Sequence, residues 1–122
     1  MSVENILSIL KTIKTGIVSL ESEVVFLIEE KFKEFGIKYS KEVFLSKGCR
    51  VDLLTEDGIA IEVKKGKPNT RSVSMQIQRY ASSDKVTAVI LVSERGLFSH
   101  ITEANGKPIG YVSLSSNWGV AL

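Results

Sequence analysis

The residues best equipped for chemistry in this 122-residue chain lie between Arg50 and Lys67. Arg50-Val51-Asp52 carries one acid; after a short turn, Ile61-Glu62-Val63-Lys64 carries a second, with a lysine two residues on. In each run an acid stands where an apolar residue would suit a strand. Two carboxylates are hard oxygen ligands suited to Mg²⁺ or Mn²⁺. Acid, acid and lysine on one face of a sheet would hold such a cation against a phosphate.

The turn decides whether they meet. Glu56-Asp57-Gly58 separates the runs, and Gly58 suits the left-handed position that closes a three-residue hairpin loop. That loop pairs Thr55 with Ile59, Leu54 with Ala60, and Asp52 with Glu62. Alternation adds Arg50 and Lys64 to the acids' face and leaves Val51, Leu53, Ile59, Ile61 and Val63 as a core. A two-residue loop would set Asp52 opposite Val63 and bury one carboxylate. An ordinary hairpin with a polar outer face has the same spacing.

The string is more specific than its spacing. Asp52 and Glu62-Val63-Lys64 resemble the signature of the PD-(D/E)xK nuclease superfamily, an acid ending one strand and acid-x-lysine on the next. Val51 stands where the family name has proline. Downstream, Gln76-Ile77-Gln78-Arg79-Tyr80 matches the Gln-x-x-x-Tyr motif of RecB-like nucleases in that superfamily, and on a helix Gln76 and Tyr80 share a face. A polar helix surface with a snorkelling tyrosine would look alike. Upstream, Glu21-Ser22-Glu23-Val24-Val25 resembles the acidic helix start of archaeal Holliday junction resolvases, where a glutamate is a further metal ligand. Val24, Val25, Ile28, Phe32 and Phe35 recur on the face of Glu21, whereas Glu23 lines up with Glu30 and Glu34. A favourable charge at a helix N-terminus explains Glu21 equally well.

The resemblance implies an α/β restriction-endonuclease-like core, a mixed β-sheet flanked by helices. It implies a metal-dependent DNA nuclease, most simply an endonuclease, with Holliday-junction cleavage as one specific form. Asp52, Glu62, the carbonyl of Val63 and Glu21 would hold Mg²⁺, with Mn²⁺ as a substitute. Lys64 would orient water or stabilise charge developing on phosphorus, and a cation beside two carboxylates suits the second role. Lys65, Lys67, Arg71, Gln76, Arg79 and Tyr80 would face nucleic acid. No acid occurs from Val63 to Ser83, although the net charge of +2 is itself too small to show such binding. Tyr80 is the only aromatic residue there, which argues against base stacking as the main mode of recognition. The junction resolvases are dimers, so a homodimer on DNA is expected. Two other classes remain open: a non-catalytic nucleic-acid-binding module, and a subunit active only with a repair or recombination partner.

The surrounding elements suit a single domain over residues 1–122: an N-terminal helix (1–19), a core (20–92) and a C-terminal extension (93–122). Val3, Ile6, Leu7, Leu10 and Ile13 predict a helix capped by Ser2 and broken by Gly16, packed on the sheet or offered to a partner. Val43 to Leu45 suggests a first strand, and Thr70 is a candidate cap for the helix with Gln76. Val86 to Val92 reads as a central buried strand. Phe98 to Ile101 and Tyr111 to Leu114 suggest short strands or irregular structure around Gly106-Lys107-Pro108. Trp118 to Leu122 is apolar to its end and suits docking or an interface. No apolar run approaches a membrane span. Cys49 and His100 are each the only residue of their type, which leaves no disulfide, cysteine-rich zinc site or histidine centre. A lone cysteine and a start without a secretory pattern predict a cytoplasmic setting.

Overall fold

Apolar runs become strands and amphipathic runs become helices over both faces of the resulting sheet. The computed structural model describes residues 2–13, 20–65, 69–94 and 101–114. In chain order the elements are α1 (Val3–Leu10), α2 (Glu21–Glu34), β1 (Tyr39–Ser46), β2 (Cys49–Thr55), β3 (Ile59–Lys64), α3 (Thr70–Ala81), β4 (Ala88–Ser93), β5 (Glu103–Ala104) and β6 (Lys107–Ser113). The sheet order is β1-β2-β3-β4-β6-β5. Neighbours β1–β2, β2–β3 and β5–β6 are antiparallel, while β3–β4 and β4–β6 are parallel. The protein is therefore α/β with a mixed six-stranded sheet, and no helix among the described residues is long and apolar enough to cross a membrane.

Each face has its own core. Ile6 and Leu10 of α1 and Ile28 and Phe32 of α2 pack on Leu53, Ile61, Ile90 and Val112. On the opposite face Val73, Ile77 and Tyr80 of α3 pack on Val51, Ala60, Val89 and Leu91. Covered on both sides, β4 is buried at every residue, which is why its sequence is an unbroken apolar run. Ser2 caps α1, accepting from the Asn5 N–H at 3.2 Å. α1 packs on the sheet: Leu7 sits against Gly110 of β6, where a Cβ would fall 3.0 Å from it. α3 is capped by Asn69, which accepts from the Ser72 N–H at 3.0 Å, rather than by Thr70.

Three features depart from the sequence reading. First, β6 is an interior strand of the sheet, so the C-terminal extension belongs to the core. Of the short strands or irregular structure expected around Gly106-Lys107-Pro108, the strand alternative holds for β6, which begins earlier at Lys107, and Asn105 and Gly106, at φ 52° and 75°, close the β5–β6 hairpin. An Asn-Gly pair is suited to that mirror-image turn. Second, Phe35 ends α2 exposed instead of extending its buried stripe. Third, the alternation of β1 and β2 switches face part-way along. Tyr39 and Leu53 belong with the α1–α2 core, whereas Val43, Val51 and Cys49 belong with α3. The crossing falls at Glu42, whose φ is 50°, and at Asp52 opposite. Val51 therefore does not share a face with Leu53. Gly16, Lys67, Pro68, Phe98 to His100, and Trp118 to Leu122 lie outside the described residues.

Candidate active site

The β2–β3 hairpin takes the register that the three-residue loop predicts. Gly58, at φ 87°, donates its N–H to the Thr55 carbonyl at 2.9 Å, and Leu54 faces Ala60 and Leu53 faces Ile61. Beyond Leu53 the backbone pairing gives way to side chains. Asp52 Oδ2 accepts from the Val63 N–H at 2.8 Å, and Glu62 Oε1 accepts from the Asp52 N–H at 3.2 Å. Each carboxylate thus grips the other's strand. Lys64 Nζ stands 3.3 Å from Glu62 Oε2. Asp52, Glu62 and Lys64 are brought together.

The face crossing explains how two acids can sit in the gap. Glu62 follows the alternation of β3 and turns under α3, leaving it 8% exposed. Asp52 sits where β2 changes face, so it opens toward α2 and lines a groove of about 250 Å³ with Glu21, Ser22, Val25, Lys41 and Glu42. Burial is the chief cause that pushes the Glu62 carboxyl up to about 7. The charge of Asp52 pushes the same way, while Lys64 and the hydrogen bond at Asp52 oppose it.

Glu21 belongs to this end of the sheet. As the first residue of α2 it accepts the Lys65 N–H on Oε1 at 3.1 Å, tying the helix start to the end of β3. Glu23 does other work: its Oε1 accepts the Leu20 N–H at 3.2 Å and closes the first turn of α2. Tyr80 is 3% exposed and presents no face to a base. Its hydroxyl donates to the Arg50 carbonyl at 3.2 Å, and burial, then Glu62, push the phenol pKa upward. Tyr80 is thus buried behind β2, whereas the motif implies a residue facing nucleic acid. Gln76, one turn earlier, is half-buried, and its Oε1 finds no hydrogen-bond partner among the described residues.

The basic residues separate. Lys65 Nζ pairs with Glu94 Oε2 at 3.2 Å, and the Glu94 N–H donates to the Lys64 carbonyl at 3.1 Å. Arg71 and Arg79 are exposed on α3, eight residues apart and so on one side of it. Lys67 lies outside the described residues. Arg50, expected beside Asp52 and Glu62, follows the other side of the crossing and pairs with Glu42 at 3.4 Å. Glu94 carries no sequence signal, because only the parallel register, Lys64 beside Ser93, brings it to this strand end.

The chemistry of the side chains at this strand end is of the oxygen-donor kind. Asp52, Glu62 and Glu21 offer hard oxygens, and Lys64 offsets only part of the charge that Glu62 and Asp52 place side by side. Among the described residues, no three acidic, histidine or cysteine side chains stand close enough together to grip an ion as they are. Asp52 and Glu62 each engage a backbone N–H instead. Of the implied ligands, Val63 contributes its N–H to Asp52. A larger cleft of about 590 Å³, lined by Gln78, Ser82, Thr102 and Asn105 among others, lies away from these carboxylates. No protein-family model, curated protein or solved structure matches the chain.

Proposed function

We propose that this chain is a divalent-metal-dependent nuclease of the PD-(D/E)xK type that hydrolyses DNA phosphodiester bonds, most directly as an endonuclease. The observation that carries the reading is the reciprocal brace of Asp52 and Glu62 across the gap between β2 and β3, with Lys64 on Glu62. A buried carboxylate beside a second acid is costly unless something positive shares the site. The order α2, β1–β2–β3 meander, α3, parallel β4 agrees with the restriction-endonuclease-like core that the motifs imply.

Each residue then has a task. Asp52 and Glu62 would hold the cation, and Glu21, at the same strand end, would offer a further oxygen. Bound Mg²⁺ would neutralise charge on the phosphate and make a water more acidic. Lys64 presents its ammonium to charge developing on the phosphate oxygens, held in line by Glu62. Tyr80 fixes β2 from behind through the Arg50 carbonyl, so that Asp52 keeps its place at the crossing. Arg71 and Arg79 supply positive charge for the DNA backbone. A homodimer acting on a four-way junction is the specific form that the resemblance suggests.

Manganese binding tests the site without requiring turnover. Titration followed by electron paramagnetic resonance should show Mn²⁺ captured by the native chain and not by Asp52→Ala. Equal capture by both would place the cation elsewhere and remove the basis of the reading.

A further inference from the structure

We propose that the outer half of the β1–β2 hairpin is a base-stacking platform, on which Phe44 receives one unpaired nucleobase of the strand bound at Asp52. The proposal rests on the nuclease reading for the position of that strand.

Phe44 is 61% exposed, although it lies in a strand. The face crossing at Glu42 and Asp52 is the reason. Past it, Val43 and Leu45 turn toward α3 and Phe44 turns away from α3. Arg50 is the residue directly opposite Phe44, and opposed residues of an antiparallel pair share a face. Lys85 Nζ donates to the Phe44 carbonyl at 3.4 Å, and Lys47 is exposed at the hairpin tip. Three cations thus stand at the hairpin end that carries the exposed ring. The nearby acid, Glu42, is already held by Arg50 at 3.4 Å.

The platform is continuous with the site. Asp52 and Glu42 line one groove, Glu42 pairs with Arg50, and Arg50 opposes Phe44. Arg50 and Asp52 are two positions apart along β2, roughly 7 Å, and Phe44 lies about 5 Å across from Arg50. A strand whose phosphate rests at Asp52 would bring a base to Phe44 about one or two nucleotides away. With Arg50 held by Glu42, Lys47 and Lys85 leave this hairpin end net positive, which favours a polyanion over a second copy of this chain or a basic peptide. The ring selects within that class. A base inside a duplex has both faces stacked and none free for Phe44, whereas an unpaired base has one. The substrate class is therefore nucleic acid with unpaired bases beside the cut: a single strand, an overhang or a branch point.

Binding without cleavage is the test. The native chain, Phe44→Ala and Phe44→Trp would be titrated in EDTA against a fluorescent single-stranded oligothymidylate and a blunt duplex, read by anisotropy. Phe44→Ala should lose roughly five- to hundred-fold in affinity for the single strand and change little on the duplex. Phe44→Trp should restore it. Unchanged single-strand affinity in Phe44→Ala, or equal losses on both substrates, would overturn the platform. So would a dimer that dissociates in Phe44→Ala while single-strand affinity holds, because the ring would then serve a second copy. Adding Mg²⁺ to the native chain separates the two ideas. Cleavage with unchanged Phe44→Ala binding leaves the nuclease standing without the platform. Selective loss of single-strand binding without any cleavage does the reverse.

Discussion

Glu62→Gln should make the metal-free protein more stable, and the gain should depend on pH. Glu62 is buried beneath α3 beside Asp52, and its carboxyl is pushed up to about 7 from an ordinary 4.5. The folded state therefore binds this proton more tightly than the unfolded chain does. Stability from this group is fully present below the unfolded value and is lost as pH rises through the folded one. At about pH 8 the native protein bears a penalty of about 3 kcal/mol, and at about pH 5 less than about 1 kcal/mol. Glutamine removes the charge while its Oε1 can still accept from the Asp52 N–H. Lys64 opposes the penalty, and the net value already includes that opposition. Urea unfolding of both proteins in EDTA at the two pH values isolates Glu62, since every other titrating group is shared. Near pH 8 the variant should unfold later, by on the order of 10 °C in a parallel thermal melt. Mg²⁺ should stabilise the native protein and leave the variant almost unmoved. A variant no more stable than the native chain near pH 8 would refute the reasoning. So would a difference that fails to shrink toward pH 5.

Lys64→Ala should lower the single-turnover cleavage rate by about a hundredfold or more while DNA affinity stays close to native, and should lower the melting temperature near pH 8 because Glu62 loses its cation. Arg71→Ala and Arg79→Ala should each weaken DNA binding and reduce the slope of log affinity against log salt by about one, measured by anisotropy across a salt series. Tyr80→Phe should cost about 1 kcal/mol in denaturant unfolding, because the Arg50 carbonyl loses its donor. It should also slow cleavage more than it weakens DNA binding, since the hydroxyl supports β2 and touches no substrate.

The hairpin was legible because one residue decides it. Gly58 has a left-handed φ and little room, a Cβ there falling 2.9 Å from the Lys85 carbonyl, so the three-residue loop and the Leu54–Ala60 register follow. The stripe of Val24, Ile28 and Phe32 was legible for the same local reason, a helical period. The face crossing was not. Strict alternation would carry Val51 and Leu53 into one core, and only packing against two separate helix layers draws them apart. That single departure hid two features: Arg50 leaves the acids' face, and Phe44 is turned outward. Glu62 keeps the alternation of β3 and is buried because α3 covers that face. Tyr80 looked like a surface ring because its helical face cannot show which strand will cover it. Glu94 depends on parallel pairing between β3 and β4, which joins residues 29 positions apart and leaves no local trace. The Asn105-Gly106 turn, by contrast, was in plain view as a hairpin signal.

The most direct test is cleavage of a labelled DNA panel by the purified protein. Single strand, duplex, flap and four-way junction would each be incubated with Mg²⁺, Mn²⁺ or EDTA, with Asp52→Ala alongside. Cutting that requires the metal and vanishes in the variant is the expected result. DNA binding without cutting of any substrate in either metal, or cutting that survives in Asp52→Ala, would contradict a metal site built on Asp52 and Glu62.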